Sequence, residues 1–263
     1  ALLSTYFDTR RHALRHAGAA LRIREAAGKR EQTLKVPTDG PAGVQNCEEW
    51  TVAADDGTPD LRRFDDDVLA RLPHRGRRMR LEPVFLSEVT RTSLRLGRGH
   101  SRFEMAIDIG RLQSLRGTQA GMALCEIEFK LVRCSVEVII AFLIDLVEDV
   151  KLLPLHPSKA QRGYALARRS LRVDGVKAQL PVLETDATVG DAFLVVTGEA
   201  LRHLYANTAP VLAGAPGGIH QSRVAIRRIR AALRAFKEVL PYEGRKAFNG
   251  EFRWFQDRLA GAD

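Results

Sequence analysis

Aromatic residues are scarce in this chain of 263 residues, where Phe, Trp and Tyr together make up 6%. Proteins that bind single-stranded nucleic acid stack bases on aromatic side chains, so the scarcity argues against that class. No apolar run approaches the ~18 residues of a membrane span, and no signal peptide is recognisable. Cys47, Cys125 and Cys134 are odd in number and lack metal-ligand spacing. They predict reduced thiols in a cytoplasmic protein.

Positive charge, in contrast, is abundant. The chain carries 41 Lys and Arg against 32 Asp and Glu, giving a net charge of +9 and a pI near 9.9. This excess predicts an anionic partner such as nucleic acid, a phosphate-rich small molecule or an acidic surface. The chain lacks an initiator Met and opens within a predicted strand, so we expect a further segment to precede Ala1.

The first 132 residues alternate between apolar and polar side chains, which is typical of strands that bury one face. The predicted strands are residues 1–9, 20–25, 31–36, 47–51, 81–96, 102–109 and 124–132. We expect Gly110 to end the sixth strand. Apolar residues at helical spacing predict helices at 59–72 and, after a possible cap at Ser135, through 138–146.

The strand Leu-Cys-Glu-Ile-Glu-Phe-Lys-Leu at 124–131 has the most informative face. Glu126, Glu128 and Lys130 lie on one side, about 7 Å apart, because each strand residue rises ~3.3 Å. Carboxylate oxygens bind hard cations, and an ammonium binds phosphate. Taken alone, however, such a pattern is more often a strand face that meets water.

Charged residues recur on one face of five predicted strands. The set comprises Arg22, Arg24, Lys35, Glu49, Glu104, Asp108, Glu126, Glu128 and Lys130. One interpretation is an open sheet whose charged face meets water. The other is a closed barrel with the charges inside and helices on its apolar outside. Because buried charges need partners or metals, the barrel predicts a tunnel for a metal-complexed phosphate chain.

Five segments carry a more specific signal. They are Tyr-Phe-Asp-Thr at 6–9, Leu-Arg-Ile-Arg at 21–24, Gln-Thr-Leu-Lys at 32–35, Cys-Glu-Ile-Glu at 125–128 and Ser-Lys-Ala-Gln-Arg-Gly-Tyr at 158–164. In order and spacing they resemble the CYTH domain, the family that joins class IV adenylyl cyclases with thiamine and inorganic triphosphatases. The resemblance implies an α+β fold, an antiparallel eight-stranded β tunnel with flanking helices. The family's first strand, Glu-x-Glu-x-Lys, has no counterpart in this sequence, so we expect the tunnel to lack it.

The resemblance also implies roles for single residues. Phosphate-binding and catalytic positions would be Arg22, Arg24, Lys35, Glu49, Arg91, Lys159 and Arg162. Glu126 and Glu128 would bind a metal, with Glu104 and Asp108 near it, and oxygen ligands fit Mg²⁺ or Mn²⁺. The implied reaction is hydrolysis of a linear triphosphate, foremost inorganic tripolyphosphate, by positioning and charge neutralisation. Thiamine triphosphate, ATP and adenylyl cyclase chemistry are alternatives on the same fold.

Beyond residue 184 the pattern becomes purely helical, with helices predicted to reach 212 and to span 219–240 and 243–259. A cationic stripe follows the second helix at three- and four-residue spacing. It comprises His220, Arg223, Arg227, Arg230 and Arg234. Like charges repel at this spacing, so the stripe suggests an anionic ligand, although the solvated face of a basic protein explains it equally well. Residues 220–236 resemble the opening helix of the CHAD domain, a helical module associated with polyphosphate.

These observations predict a CYTH-like tunnel domain at 1–168, a linker at 169–184 and a partial CHAD-like helical domain at 185–263. The expected partners are inorganic triphosphate and polyphosphate, with no membrane and with nucleic acid disfavoured. The expected location is the cytoplasm, in association with polyphosphate granules. A non-catalytic protein that binds or targets polyphosphate is the alternative to an enzyme.

Overall fold

The computed structural model describes residues 1–38, 46–73, 79–98, 100–116, 121–155, 157–168, 175–212 and 214–261. The chain divides into two compact units, and the main division falls between residues 168 and 175. The predicted domain limits at 168 and 184 stay predictions, because residues 169–174 lie outside the described ranges.

The first unit is built on one antiparallel sheet of seven strands, in the order β4-β3-β2-β1-β5-β6-β7. Its strands are β1 Leu2–Asp8, β2 Ala20–Ala26, β3 Lys29–Pro37, β4 Cys47–Ala53, β5 Glu82–Arg98, β6 Ser101–Ser114 and β7 Gly121–Arg133. Its helices are α1 Ala13–His16, α2 Asp66–Leu69, α3 Val136–Asp149 and α4 Lys159–Ala167, with a 3₁₀ turn at Leu61–Arg63. The antiparallel α+β fold expected from the sequence is confirmed, with β4 and β7 as the edges of a curled sheet.

The strand register places the predicted charged residues on one face. Lys35 lies opposite Glu49, and Arg24 lies opposite Ser4, which in turn faces Ser87. Ser87 and Arg91 share a face because they are four residues apart on β5. Arg91 faces Asp108, and Asp108 faces Glu126.

This face is the concave one, because charges from strands far apart in the sheet approach each other across it. Burial raises the pKa of Glu49 on β4, but a hydrogen bond from Lys35 and the charges of Lys35, Arg22 and Lys130 outweigh it and lower that pKa. Lys130 belongs to the opposite edge strand, β7. The curl therefore brings the two edges of the sheet within electrostatic reach.

The convex face is apolar and carries the main core. Leu21 and Leu34 are fully buried there against Leu14 of α1 and Val68 of α2. Farther along the sheet, Phe142 of α3 packs edge-on against Phe103 and Phe129, with centroids 5.3 and 6.0 Å apart. Helices thus cover the outside of the sheet as expected, although Ile109 remains 60% exposed.

Two local predictions in the first unit were wrong. Gly110 does not end a strand but lies inside β6, where a Cβ atom would stand 2.0 Å from the Glu88 carbonyl oxygen. Glycine there permits a close backbone approach. The single helix expected at 59–72 is instead a 3₁₀ turn followed by α2, because Phe64 is extended and inserts its buried ring into the core.

All the regular secondary structure in the described part of the second unit is helical. The helices are α5 Val189–Ala206, α6 Thr208–Leu212, α7 Pro216–Ala235 and α8 Tyr242–Ala260. The first helix expected here breaks at Asn207, whose buried amide group binds the backbone of Val176 and His203. Ile226, Ile229 and Leu233 of α7 form the core, as their spacing predicted. None of the helices described is long and apolar enough to cross a membrane.

Candidate active site

Three carboxylates meet on the concave face of β6 and β7. Asp108 lies opposite Glu126 in the strand register, and Glu128 is the next residue of β7 on that face. One oxygen from each lies within 4.8 Å of the others. The side chain of Asp108 is fully buried and that of Glu126 is 9% exposed. Neighbouring carboxylates repel each other in such surroundings unless cations hold them together.

Three cations supply that compensation. The Arg91 guanidinium donates two hydrogen bonds of 2.7 Å to Asp108 and also binds Glu128. The Lys159 ammonium binds Asp108 and lies 2.9 Å from Glu126 and 3.2 Å from Glu128. Arg162 donates to Glu126. Burial raises the pKa of Asp108, but the hydrogen bonds from Arg91 and Lys159 outweigh it and lower the pKa to about 2.

The acidic cluster fits a hard divalent cation. Its donors are carboxylate oxygens, which Mg²⁺ and Mn²⁺ prefer over sulfur or nitrogen. The Lys159 ammonium between the three carboxylates is a stand-in cation, and it shows that the cluster accommodates positive charge at that point. Asp108, Glu126 and Glu128 are therefore the residues that would hold a metal.

A basic region occupies the same face on β2, β3 and β4. Glu49 lies 2.9 Å from the Lys35 ammonium and 3.4 Å from Arg22. Arg24 has no carboxylate partner among the described residues, and its Nε donates only to the Ser4 hydroxyl at 3.4 Å. Burial, followed by the charges of Arg22 and Arg91, lowers the pKa of Arg24. Cations outnumber acids here, so an anion would relieve their repulsion.

Two guanidinium nitrogens on this face lack an acceptor. The Nε atoms of Arg22 and Arg162 are buried and make no hydrogen bond within the described part of the chain. A buried donor without an acceptor costs about 1–3 kcal/mol. A phosphate oxygen is an acceptor that would satisfy such groups.

The predicted cationic stripe lies on the surface of α7. His220, Arg227 and Arg234 are exposed, whereas Arg223 and Arg230 are half-buried. Arg230 donates to Asn249 at 3.0 Å and to Gln256 at 2.8 Å, both on α8. Arg230 therefore joins α7 to α8, whereas His220, Arg227 and Arg234 face solvent.

Comparison with protein families agrees with both units. The CYTH domain model matches residues 1–164. The chain belongs to the CYTH family. The CHAD domain model matches residues 196–263, so the sheet and the helices are a CYTH domain followed by a CHAD domain.

Two solved structures are similar to parts of the chain. One is a candidate adenylate cyclase from Bacillus halodurans, 17% identical with a TM-score of 0.38, covering 61% of this chain and 80% of that one. The other is a candidate adenylyl cyclase from Hippeastrum with a dominant triphosphatase activity, 18% identical with a TM-score of 0.41, covering 64% and 81%. At these scores neither structure carries an argument about activity.

Helix α4 of the CYTH domain lies on the concave face and delivers Lys159 and Arg162 to the acidic cluster. It begins with a capping box between Ser158 and Gln161. Gly163 allows the close approach, because a Cβ atom there would stand 2.1 Å from the ring of Phe85. The sequence motif at 158–164 therefore positions α4 against β5.

The structure gathers every predicted CYTH site residue onto one face, but it separates Glu104 from the acidic cluster. Glu104 is four residues from Asp108 on β6, about 13 Å along the strand, and lies 3.5 Å from Arg95. Ser4 and Ser87, which line the same face beside Arg24, were missed by the sequence interpretation. No alternating pattern marks them, because Ser4 is followed by Thr5 and Ser87 by Glu88.

Proposed function

We propose that the CYTH domain hydrolyses a linear triphosphate, with inorganic tripolyphosphate as its preferred substrate and Mg²⁺ or Mn²⁺ as its cofactor. The observation that carries the proposal is the pairing of two regions on one concave face. Three carboxylates suited to a metal lie on the same face as Arg22 and Arg162, whose buried Nε atoms have no acceptor among the described residues. Arg24, on that face too, has no carboxylate partner among the described residues. A metal-complexed phosphate chain satisfies both regions at once.

When bound, the metal ion would neutralise phosphate charge and polarise a phosphoryl group. Arg22 and Arg24 would bind phosphate oxygens from the basic region, and Arg162 would do so through its free Nε. Arg91 would keep Asp108 and Glu128 ionised and in place. Fixing the chain of phosphates and balancing its charge accounts for most of the rate enhancement in phosphoryl transfer.

A nucleoside or thiamine group finds little to bind on this face. Its aromatic side chains pack against each other, with Tyr6 and Phe85 stacked at 4.3 Å and Phe85 edge-on to Tyr164 at 5.4 Å. All three are buried. Within the described residues of the concave face, then, no free ring is available to stack on a base, which favours an inorganic chain over ATP.

The test is phosphate release from tripolyphosphate, ATP and thiamine triphosphate with Mg²⁺ or Mn²⁺. We expect Glu126→Gln and Arg24→Gln to lower kcat/KM for tripolyphosphate by about 100-fold or more. Glu126→Gln removes a charge that would hold the metal, and Arg24→Gln removes a charge that would bind phosphate oxygens. Arg95→Gln is the matched control, since Arg95 lies on the same face of β5 but is 89% exposed. Absence of metal-dependent release from all three compounds would contradict the proposal, and so would equal losses in Arg95→Gln and Arg24→Gln.

We propose further that the CHAD domain binds polyphosphate through His220, Arg227 and Arg234. Their exposure on one face of α7 supports this, because exposed like charges at helical spacing gain from a polyanion. Such binding would bring the protein to polyphosphate granules in the cytoplasm.

Filter binding of labelled long-chain polyphosphate tests the stripe. We expect Arg227→Ala/Arg234→Ala to weaken binding at least tenfold and to lower its salt dependence, as loss of two phosphate contacts predicts. The control is Lys237→Ala, which removes a cation from the segment that follows α7. Unchanged affinity of the double variant would place the binding surface elsewhere, and displacement by duplex DNA at equal phosphate concentration would indicate a general polyanion site.

A further inference from the structure

Lys159 occupies the point where the three carboxylates of the acidic cluster converge. Its ammonium binds Asp108 Oδ2, Glu126 Oε1 and Glu128 Oε1. The Lys159 side chain is only 11% exposed. An ammonium that is largely removed from water and shared among three carboxylates replaces the charge of a bound cation.

The guanidinium groups approach the two glutamates from other directions. Arg91 binds Glu128 through Oε2, and Arg162 binds Glu126 through Oε2. Among the described residues, both Oε1 atoms make their ion pairs with Lys159, which places them around its ammonium. A divalent cation at that point would need the oxygens that Lys159 holds, of which Asp108 Oδ2 is shared with Arg91. It would leave the Oε2 atoms of Glu126 and Glu128 in their present contacts with Arg162 and Arg91.

The Lys159 side chain can leave without a change in the fold. The backbone of α4 is fixed by the Ser158–Gln161 capping box and by the packing of Gly163 and Tyr164 against Phe85. The four-carbon stem of lysine, in contrast, rotates freely once its ion pairs are broken. Displacement therefore requires only a change of rotamer.

We propose that Lys159 is the resident counter-ion of the acidic cluster and that a divalent cation binds by displacing its ammonium. The inference rests on the proposed function only in taking the displacing cation to be Mg²⁺ or Mn²⁺. Metal affinity is then set by the competition between Lys159 and the metal, and the displaced ammonium becomes available to the phosphate that accompanies the metal. Without metal, three carboxylates face the three cations Arg91, Lys159 and Arg162. With a divalent cation in place of Lys159 the cluster carries one excess positive charge, which the accompanying phosphate balances.

The first experiment measures Mn²⁺ binding to the full chain by electron paramagnetic resonance, without any phosphate compound. Lys159→Met keeps the length of the stem and removes the competing charge, so we expect Mn²⁺ affinity to rise by roughly tenfold or more. Lys35→Met is the matched control, because it removes one charge from the same concave face but not from the cluster. We expect it to change the affinity less than threefold. Equal or weaker Mn²⁺ binding in Lys159→Met overturns the proposal.

The second experiment follows the wild-type protein and needs a variant only to assign the Lys159 signal. Lys159→Arg serves for the assignment, because it keeps the positive charge of the cluster. Lysine ammonium groups held in ion pairs give resolvable ¹H–¹⁵N signals. We expect the ammonium signal that is missing in both Lys159→Arg and Lys159→Met to shift or vanish in the wild-type protein when Mg²⁺ is added. A signal that persists unchanged at saturating Mg²⁺ refutes displacement. Neither readout involves turnover, so an inactive enzyme that still exchanges Lys159 for Mg²⁺ would contradict the proposed function and leave this inference standing.

Discussion

Replacing Gly163 by alanine tests whether α4 must lie against the sheet for the CYTH site to form. The added methyl group would stand 2.1 to 2.4 Å from three atoms of the Phe85 ring, where ordinary contact begins at 3.4 Å. Phe85 cannot yield easily, because it is fully buried between Tyr6 and Tyr164. The helix must therefore lift by roughly 1 Å to restore normal contact distances.

The size of the effect follows from two opposing contributions. Forcing a methyl group into a packed core costs about 1–3 kcal/mol, whereas alanine is favoured over glycine inside a helix by up to ~1 kcal/mol. We expect a net destabilisation of about 1–2 kcal/mol. Lifting α4 also withdraws Lys159 and Arg162 from the carboxylates, and a displacement of about 1 Å at a catalytic site can cost 100-fold in rate.

Urea unfolding can follow the CYTH unit alone, because the chain has only Trp50 and Trp254. In a Trp254→Phe background the fluorescence of Trp50 reports on the sheet. Gly250→Ala is the control, since its Cβ atom on α8 would have no neighbour within 4 Å. In a Trp50→Phe background it should be neutral or stabilising by up to ~1 kcal/mol. If Gly163→Ala were as stable and as active as its parent, the argument that this glycine positions α4 would be refuted.

Two further predictions concern stability in the same unit. Gln32 is fully buried, and its amide group binds both the N–H and the carbonyl of Asp60 at 2.9 and 2.7 Å. Gln32→Ala should therefore lower the free energy of unfolding by about 2–4 kcal/mol. A loss below ~0.5 kcal/mol in urea would contradict the bridging role. The pKa of Glu49 is lowered from 4.5 because the effects of Lys35 and Arg22 outweigh that of burial. The Glu49 carboxylate therefore stabilises the fold at any pH above its ordinary pKa. This stabilisation is lost as the pH falls through the lowered pKa of the folded state. The advantage of wild type over Glu49→Gln in urea midpoint should therefore be full near neutral pH and shrink in acid, and a difference that does not vary with pH would refute this.

The sequence predicted the charged face because strand geometry leaves few alternatives. Side chains alternate with a period of two, so Arg22 and Arg24 on one strand, or Glu126 and Glu128 on another, must share a face wherever the strands lie. Antiparallel pairing then brings these faces together. The resemblance to the CYTH domain rests on the order of five motifs, and the antiparallel sheet agrees with the fold that this resemblance implies.

What the sequence did not predict depends on contacts between distant residues. The sequence pattern predicts a strand end at Gly110, whereas the role of this glycine depends on the backbone of Glu88 on the neighbouring strand. Asn207 breaks a helix because its amide group binds Val176, more than thirty residues earlier. Likewise, the motif around Lys159 gives no sign that its ammonium lies among three carboxylates of β6 and β7. The local sequence pattern carries no information about which distant residue a side chain or backbone group will contact.

The position of α4 in the chain has a consequence for folding. The carboxylates on β6 and β7 are made before α4, so a chain that has paired its strands but not docked this helix holds Asp108, Glu126 and Glu128 together without Lys159 and Arg162. Their mutual repulsion then opposes burial of that half of the sheet, and contacts distant in sequence form slowly. Helix α4 thus supplies two of the three cations that balance the acidic cluster, the third being Arg91 of β5. Docking of this helix and assembly of the site are therefore coupled.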